Sequence, residues 1–153
     1  NYYKLKEHQL DALFLYLIMN KKQKIGFTCS CFDLLHAGHI LMLKDAKKQC
    51  EYLIVGLQTD PTLDRSDIKN KPIQSLKERK IQLEAVKYIN EIIIYDSEHD
   101  LYELLKKINP DIRILGSDYK NKKFTGDNLD IKIYYHERNH NYSSSRLKKI
   151  LEN

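Results

Sequence analysis

The sequence predicts an α/β fold in which one parallel sheet is flanked by helices, and two observations carry this prediction. Short β-rich runs alternate along the chain with segments whose apolar residues recur at helical spacing. The first of these units is a strand, a helix and a strand, which implies parallel pairing through a right-handed crossover. We therefore predict a single domain built on a Rossmann-like sheet.

Five β-rich runs account for the strands of this sheet. They span residues 24–30, 51–59, 90–96, 110–118 and 129–137. Since ligands of such sheets bind at the carboxyl ends of the strands, we expect the functional residues in the segments that follow them.

The helices are predicted from apolar periodicity and from capping residues. The crossover between the first two strands carries a stripe of Ile40, Leu43, Ala46 and Cys50. Further helices are expected at 75–89, 99–108 and 143–152, with Ser75 and Ser143 as candidate N-caps.

An extra helix over residues 5–19 is expected before the sheet. This divides the chain into an N-terminal helical extension, 1–22, and a main domain, 23–153. Residues 61–74 and 119–128 are polar, and we expect loops there, the first of them mobile.

Composition excludes several classes of protein. With 31% charged and 42% hydrophobic residues, the chain is typical of soluble globular proteins. Its longest N-terminal apolar run, "LDALFLYLIM", is too short to cross a bilayer, so we expect no membrane contact. Cys29, Cys31 and Cys50 form neither a disulfide framework nor a zinc pattern, which favours reduced thiols and a cytoplasmic location.

The net charge of +5 favours a phosphate-bearing partner. The basic residues are dispersed and form no nucleic-acid-binding module, so we expect no nucleic-acid partner. A nucleotide together with a sugar or polyol phosphate fits this charge equally well.

The segment "CFDLLHAGH", residues 31–39, is the main chemical signal. Gly38 allows the backbone to approach a ligand closely. His39 falls at the start of a helix, where free N–H groups and the helix dipole favour anions. The three-residue spacing of His36 and His39 argues against zinc, and we expect no metal held by the protein. The plainer alternative is that both histidines are surface or capping residues.

"FDLLHAGH" resembles the signature of the H-x-G-H nucleotidyltransferase superfamily, the cytidylyltransferase-like enzymes that transfer CMP or AMP. Two further motifs are similar and stand in the right order, "KER" at 77–79 and "SSSR" at 143–146. The resemblance runs from Lys24 to Glu152. It makes the main domain a nucleotidyltransferase domain and implies a homodimer.

The resemblance implies that a substrate phosphate oxygen attacks the α-phosphorus of a nucleoside triphosphate and that pyrophosphate leaves. Mg²⁺ would travel with the triphosphate. Residues implied to be catalytic are His36, His39, Arg79, Ser143 and Ser144. Residues expected to bind the nucleotide are Cys31, Phe32, Asp33, Gly38, Gly116, Asp118, Arg138 and Ser145. The expected acceptor-binding residues are Arg65, Lys69 and Lys71.

The sequence resembles two branches of the superfamily. In the glycerol-3-phosphate cytidylyltransferases an arginine stands five residues before the serine motif, as Arg138 does here before Ser143. The adenylyltransferase domains that make ADP-heptose are matched by "KPIQSLKER" and "LGSDYKNKKFTG". Because of Arg138 we predict CTP as the donor and glycerol-3-phosphate or a similar polyol or sugar phosphate as the acceptor. The alternatives are AMP transfer from ATP to heptose-1-phosphate and a non-catalytic nucleotide-binding protein.

Overall fold

The computed structural model describes residues 11–13, 15, 16, 19 and 23–152. Its sheet runs in the order β3–β2–β1–β4–β5, and every neighbouring pair is parallel. The strands are β1 Ile25–Ser30, β2 Tyr52–Gln58, β3 Glu91–Tyr95, β4 Ile112–Gly116 and β5 Lys132–His136. The predicted Rossmann-like sheet is therefore confirmed.

Helices connect these strands and cover the sheet on both faces. They are α1 Ala37–Lys48, α2 Thr62–Arg65, α3 Leu76–Glu84, α4 Glu98–Ile108 and α5 Ser144–Leu151. A 3₁₀ turn, Ser117–Tyr119, follows β4. Of the predicted N-terminal helix, residues 11–13, 15, 16 and 19 are helical, and the rest lies outside the described residues. No helix among these residues has the length and apolar character needed to cross a membrane.

Successive side chains of each strand point to opposite faces of the sheet, which divides the core into two layers. Along β2, Leu53, Val55 and Leu57 face one side and Ile54 faces the other. Helix α4 packs on the face of Ile54, and α1 and α3 pack on the opposite face. Since both faces are covered, the strands are apolar along most of their length, as is usual for parallel sheets.

Capping side chains fix where two of the helices begin. The Ser75 hydroxyl accepts a hydrogen bond from the Glu78 amide, and the Glu78 carboxylate accepts one from the Ser75 amide. The Ser143 hydroxyl accepts a hydrogen bond from the Arg146 amide. Both predicted N-caps are therefore present.

Helix α3 ends at Glu84, five residues before the predicted end. Val86 and Ile89 continue the apolar spacing, but they lie in turns whose side chains still pack against the core. Asn90 then accepts a hydrogen bond from the Leu53 amide, which aligns the start of β3 with β2. The apolar spacing therefore reflects burial rather than a longer helix.

The segment predicted as a loop over 61–74 begins with the short helix α2. Just before this helix, the Asp60 carboxylate accepts hydrogen bonds from the Thr62 amide and hydroxyl. Residues 66–71 are exposed. The prediction of a simple loop was therefore wrong for the first turn only.

The strand order reverses between the central strand β1 and its neighbour β4. At such a point the segments that leave neighbouring strands diverge and open a crevice at the carboxyl edge. The histidine loop follows β1, and Gly116 ends β4. The topology therefore brings two of the predicted site segments to this edge.

Candidate active site

Two histidines form the cap of helix α1. His36 is the N-cap residue, and its Nδ1 accepts a hydrogen bond from the Gly38 amide at 3.1 Å. The Nδ1 atom of His39 accepts from the His36 amide at 3.4 Å. The rings stack with their centroids 3.8 Å apart. Because each Nδ1 is an acceptor, each neutral ring carries its proton on Nε2 and can donate from there.

Both imidazoles are held in the neutral form. Burial lowers the pKa of His39 to about 4, helped by the nearby His36 and Arg138. Burial, Arg138 and His140 also lower the pKa of His36. Within α1, which is described in full, the first turn contains no acidic residue. The positive end of the helix dipole is therefore left without a negative side chain.

The backbone of the histidine loop adopts an uncommon conformation. Phe32 and Leu34 both have φ of 51°, a region that residues other than glycine rarely occupy. The Phe32 ring is buried, and it contacts His39 edge-on with the centroids 5.3 Å apart. Predicted as a nucleotide-binding residue, Phe32 thus supports His39 with its ring.

Asp33 joins the histidine loop to two other segments. Its carboxylate accepts hydrogen bonds from the amides of Ile73 and Gln74, and Lys148 of α5 lies 3.4 Å away. Burial works to raise the pKa of Asp33, but these amides and Lys148 outweigh it and hold the pKa below its usual value. Asp33 was predicted to bind the nucleotide, which stays a prediction; its side chain anchors the histidine loop to residues distant in sequence.

The three predicted serines start helix α5 beside this loop. The Ser144 hydroxyl donates to the Asp33 carbonyl at 2.9 Å, and Ser143 caps the helix. Ser145 is exposed. The N-terminus of α5 is thereby fixed against the loop that carries the histidines.

The turn before α5 also approaches the histidines. Arg138 donates to the Tyr142 carbonyl at 3.3 Å, and its charge lowers the pKa values of His36 and His39. Sequence reasoning missed His140, whose Nδ1 accepts a hydrogen bond from the Tyr142 amide at 3.2 Å. The one signal for His140 was its position between Arg138 and the serine motif.

Arg79 lies in the interior, 2% exposed. Its guanidinium donates to the carbonyls of Cys31 and Gln58 at 2.8 and 2.7 Å, and to those of Thr59 and Gln74 at 2.6 and 3.1 Å. Arg79 therefore ties the segments after β1 and β2 to the start of α3. Its predicted catalytic contact stays a prediction, as does nucleotide binding by Cys31.

Gly116 and Asp118 lie together at the carboxyl end of β4. Gly116 is aligned with His136 of β5. A methyl group on Gly116 would come within 2.5 Å of Asp118 Oδ1, so the carboxylate folds back over the glycine. Both residues are at the sheet edge where a nucleotide was predicted to bind.

The three predicted acceptor-binding residues differ in their surroundings. Arg65 pairs with Glu98 at 2.9 Å and donates to the Gln58 side chain at 3.0 Å. Lys69 and Lys71 are exposed on the segment between α2 and α3. The structure therefore holds Arg65 in a network and presents the two lysines to solvent.

Comparison with known proteins decides the family. A family model described as cytidylyltransferase-like matches residues 27–150. The chain belongs to the cytidylyltransferase-like family. The match spans most of β1, the other four strands, both histidines and most of α5, and it points to a nucleotidyltransferase enzyme.

Curated relatives include bacterial proteins named "Bifunctional protein HldE". The chain is 35% identical to that of Campylobacter jejuni strain RM1221 over 133 residues, 87% of this chain and 29% of the relative. It is 37% identical to that of Wolinella succinogenes over 110 residues, 72% of this chain and 23% of the relative. The chain thus spans less than a third of the length of these relatives.

Solved structures agree with the fold. A lipopolysaccharide core biosynthesis protein of Thermoplasma volcanium is 27% identical, with a TM-score of 0.60 over 79% of this chain and 99% of the other. A pantoate-beta-alanine ligase of Francisella tularensis, crystallised with an ATP-type ligand and beta-alanine, has a TM-score of 0.68. At 24% identity, over 93% of this chain and 70% of the other, it bears on the fold alone.

Proposed function

We propose that the chain transfers AMP from ATP to a sugar phosphate and releases pyrophosphate. The main observation in favour of nucleotidyl transfer is the pair of neutral imidazoles at the N-terminus of α1. Their Nε2 protons can be donated to phosphate oxygens. The choice of ATP is supported by "KPIQSLKER" and "LGSDYKNKKFTG", the segments that resemble the ADP-heptose branch of the superfamily, beside the identity of 35% and 37% to two relatives named HldE. The likeness to a lipopolysaccharide core biosynthesis protein supports a sugar as the acceptor.

In this proposal an oxygen of the acceptor phosphate attacks the α-phosphorus of ATP. The bond from the α-phosphorus to the oxygen that bridges to the β-phosphate breaks, and pyrophosphate leaves with that oxygen and its electron pair. The reaction needs no protein nucleophile, so catalysis rests on positioning and on stabilising charge. Mg²⁺ enters as part of the nucleotide substrate.

The residues take their roles from where they lie. His36 and His39 donate Nε2–H groups to the triphosphate, and the N-termini of α1 and α5 favour its negative charge. Arg138, on the turn beside the histidines, adds a positive charge. Arg79 and Asp33 hold the segments that carry these groups.

Transfer of CMP from CTP to glycerol-3-phosphate is the second candidate. The observation that favours it is the five-residue spacing from Arg138 to Ser143. However, Arg138 donates to the Tyr142 carbonyl and acts electrostatically on both histidines, which supports a role at phosphate rather than at the base. A phosphate contact does not distinguish CTP from ATP.

The remaining features of the proposal follow from the sequence. The acceptor phosphate is bound by basic residues of the segment after β2, with Lys69 and Lys71 as the exposed candidates. We retain the homodimer, the cytoplasmic location and the division at residue 23 as parts of the proposal.

Pyrophosphate release tests the function directly. The chain is supplied with ATP, CTP, GTP or UTP and with a panel of sugar 1-phosphates and polyol phosphates. We expect kcat/KM for ATP with a sugar 1-phosphate to exceed that for CTP by at least about tenfold, a difference of roughly 1.4 kcal/mol. The double variant His36→Ala, His39→Ala is the control for contaminating activity.

Other outcomes decide between the candidates. Turnover of CTP with glycerol-3-phosphate that is faster than turnover of ATP with any sugar 1-phosphate would establish that the chain is a cytidylyltransferase. Nucleotide binding without pyrophosphate release for every pair tried would indicate a non-catalytic nucleotide-binding protein.

A further inference from the structure

A third histidine, His140, lies against the helix end that carries His36 and His39. A methyl group placed on Gly38 would come within 2.9 Å of His140 Cε1 and within 3.0 Å of the His36 ring. His140 also contributes to the lowered pKa of His36. Three imidazoles from two distant segments thus meet at the first turn of α1.

The His140 ring is held in one orientation by its own turn. Its Nδ1 accepts a hydrogen bond from the Tyr142 amide at 3.2 Å, and the ring stacks on that of Tyr142 with the centroids 5.1 Å apart. With Nδ1 as acceptor, the neutral ring carries its proton on Nε2. Cε1, the His140 atom that approaches Gly38, is bonded to both ring nitrogens, so the Nε2 donor lies one bond away from it.

That donor has no partner. The Nε2 atom of His140 is buried and makes no hydrogen bond within the described part of the chain. A buried donor without an acceptor is destabilising, because it has lost its hydrogen bonds to water and gained none in return. An acceptor oxygen at the N-terminus of α1 would remove this cost, and the same helix end favours an anion.

We propose that His140 binds the triphosphate by donating from Nε2 to a phosphate oxygen. The inference rests on the proposed function, because it assumes that the triphosphate lies at the N-terminus of α1. It adds a specific residue to that site, one contributed by the turn between β5 and α5. Arg138 and His140 then make this turn a second segment that lines the phosphate site, beside the histidine loop.

Two substitutions of His140 test the roles of its two ring nitrogens separately. His140→Asn keeps an oxygen near the position of Nδ1, which can still accept from the Tyr142 amide, but it removes the donor at Nε2. His140→Gln places an amide N–H₂ group near the position of Nε2. His99→Asn, on the exposed start of α4, is the matched control for replacing a histidine elsewhere.

Binding is measured by titration calorimetry with MgATP and, separately, with inorganic pyrophosphate and Mg²⁺. We expect His140→Asn to raise Kd for both ligands about tenfold, equivalent to 1.4 kcal/mol. His140→Gln should recover most of the affinity, and His99→Asn should bind like the unmodified chain. Thermal unfolding of each variant establishes that it is folded.

Three results would overturn the proposal. They are unchanged Kd values in His140→Asn, tighter binding in that variant, which would make the ring an obstruction, and the absence of binding by the unmodified chain. The assay does not depend on turnover. Failure to release pyrophosphate would therefore disprove the proposed function without affecting this result.

Discussion

His36 uses its two ring nitrogens for different purposes. Nδ1 caps α1, and Nε2 is the donor assigned to the triphosphate. Asparagine is a good N-cap and can offer its side-chain oxygen in place of Nδ1. His36→Asn should therefore preserve the free energy of unfolding within about 0.5 kcal/mol while turnover falls by roughly 10²–10³, the scale for losing one transition-state donor. Urea unfolding and pyrophosphate release measure the two effects.

His36→Ala is the companion variant, because it removes both nitrogens. It should lose turnover to the same extent and also about 1 kcal/mol of stability, the usual cost of a lost N-cap. If His36→Asn kept near wild-type turnover, the histidine would be only a capping residue, the plainer alternative raised by the sequence.

His39 makes the stability of the protein depend on pH. Its pKa in the folded protein is about 4, below the ordinary 6.5, so the unfolded chain binds the proton more tightly. The contribution of neutral His39 to the free energy of unfolding is therefore fully present above pH 6.5, and it is lost as the pH falls from 6.5 towards 4. Since the ring is partly exposed, we expect a loss of roughly 1–3 kcal/mol over this range.

The control for this prediction is His39→Gln. Glutamine at the third position of a helix can accept from the N-cap amide, as His39 Nδ1 does, but it does not titrate. Urea unfolding at several pH values should give a shallower pH dependence for the variant. If the free energy of unfolding varied with pH equally in the two proteins, the pH dependence could not be assigned to His39.

At the scale of elements, Arg79 connects the ends of two strands with a helix. Its guanidinium satisfies four backbone carbonyls that are distant in sequence. Lysine can donate three hydrogen bonds from a single nitrogen and cannot span this set. Arg79→Lys should therefore lower the free energy of unfolding by about 2–4 kcal/mol.

Turnover distinguishes this positioning role from direct catalysis. We expect Arg79→Lys, assayed well below its melting temperature, to change kcat much less than His36→Asn does. Its KM for the nucleotide should rise, because the histidine loop loses an anchor at the Cys31 carbonyl. A kcat as low as that of the histidine variants would instead restore the catalytic role predicted from the sequence. Lys80→Met, which removes an exposed pair with Glu84, is the control.

The elements with local signals could be predicted from the sequence. Ser75 and Ser143 start α3 and α5 because a hydroxyl can cap only the helix that follows it. The end of α3 could not be placed, because the apolar residues after it pack against the core from turns. Arg79 looks like a solvated charge within "KERK", since the carbonyls that bury it come from other parts of the chain. His140 was missed for the same reason, because its contact with α1 is tertiary.

At the scale of the whole molecule, Asp33 joins three segments that surround the crevice. The amides of Ile73 and Gln74 are bonded to its carboxylate in the free protein, whereas residues 66–71 are exposed. We expect hydrogen exchange to be slow at Ile73 and Gln74 and fast at 66–71. MgATP should slow exchange at 66–71, because basic residues there would close over the substrates.

The comparison of free and MgATP-bound protein tests this prediction. Residues 102–108 of α4, which the proposal does not place at the nucleotide, serve as an internal reference for helical protection. Equal exchange at 66–71 with and without nucleotide would mean that the segment does not take part in closure.

The use of imidazoles rather than carboxylates to cap α1 has a consequence for the energetics of binding. A carboxylate cap would repel an arriving anion through its charge, whereas a neutral imidazole does not. Because Nδ1 of His36 and of His39 already accepts a hydrogen bond from a backbone amide, neither ring can take a second proton without losing its cap. Both rings should therefore stay neutral when the triphosphate binds, and the apparent binding enthalpy at about pH 7 should not vary with the ionisation enthalpy of the buffer. A clear dependence on the buffer would show that a ring is protonated and that its cap has opened.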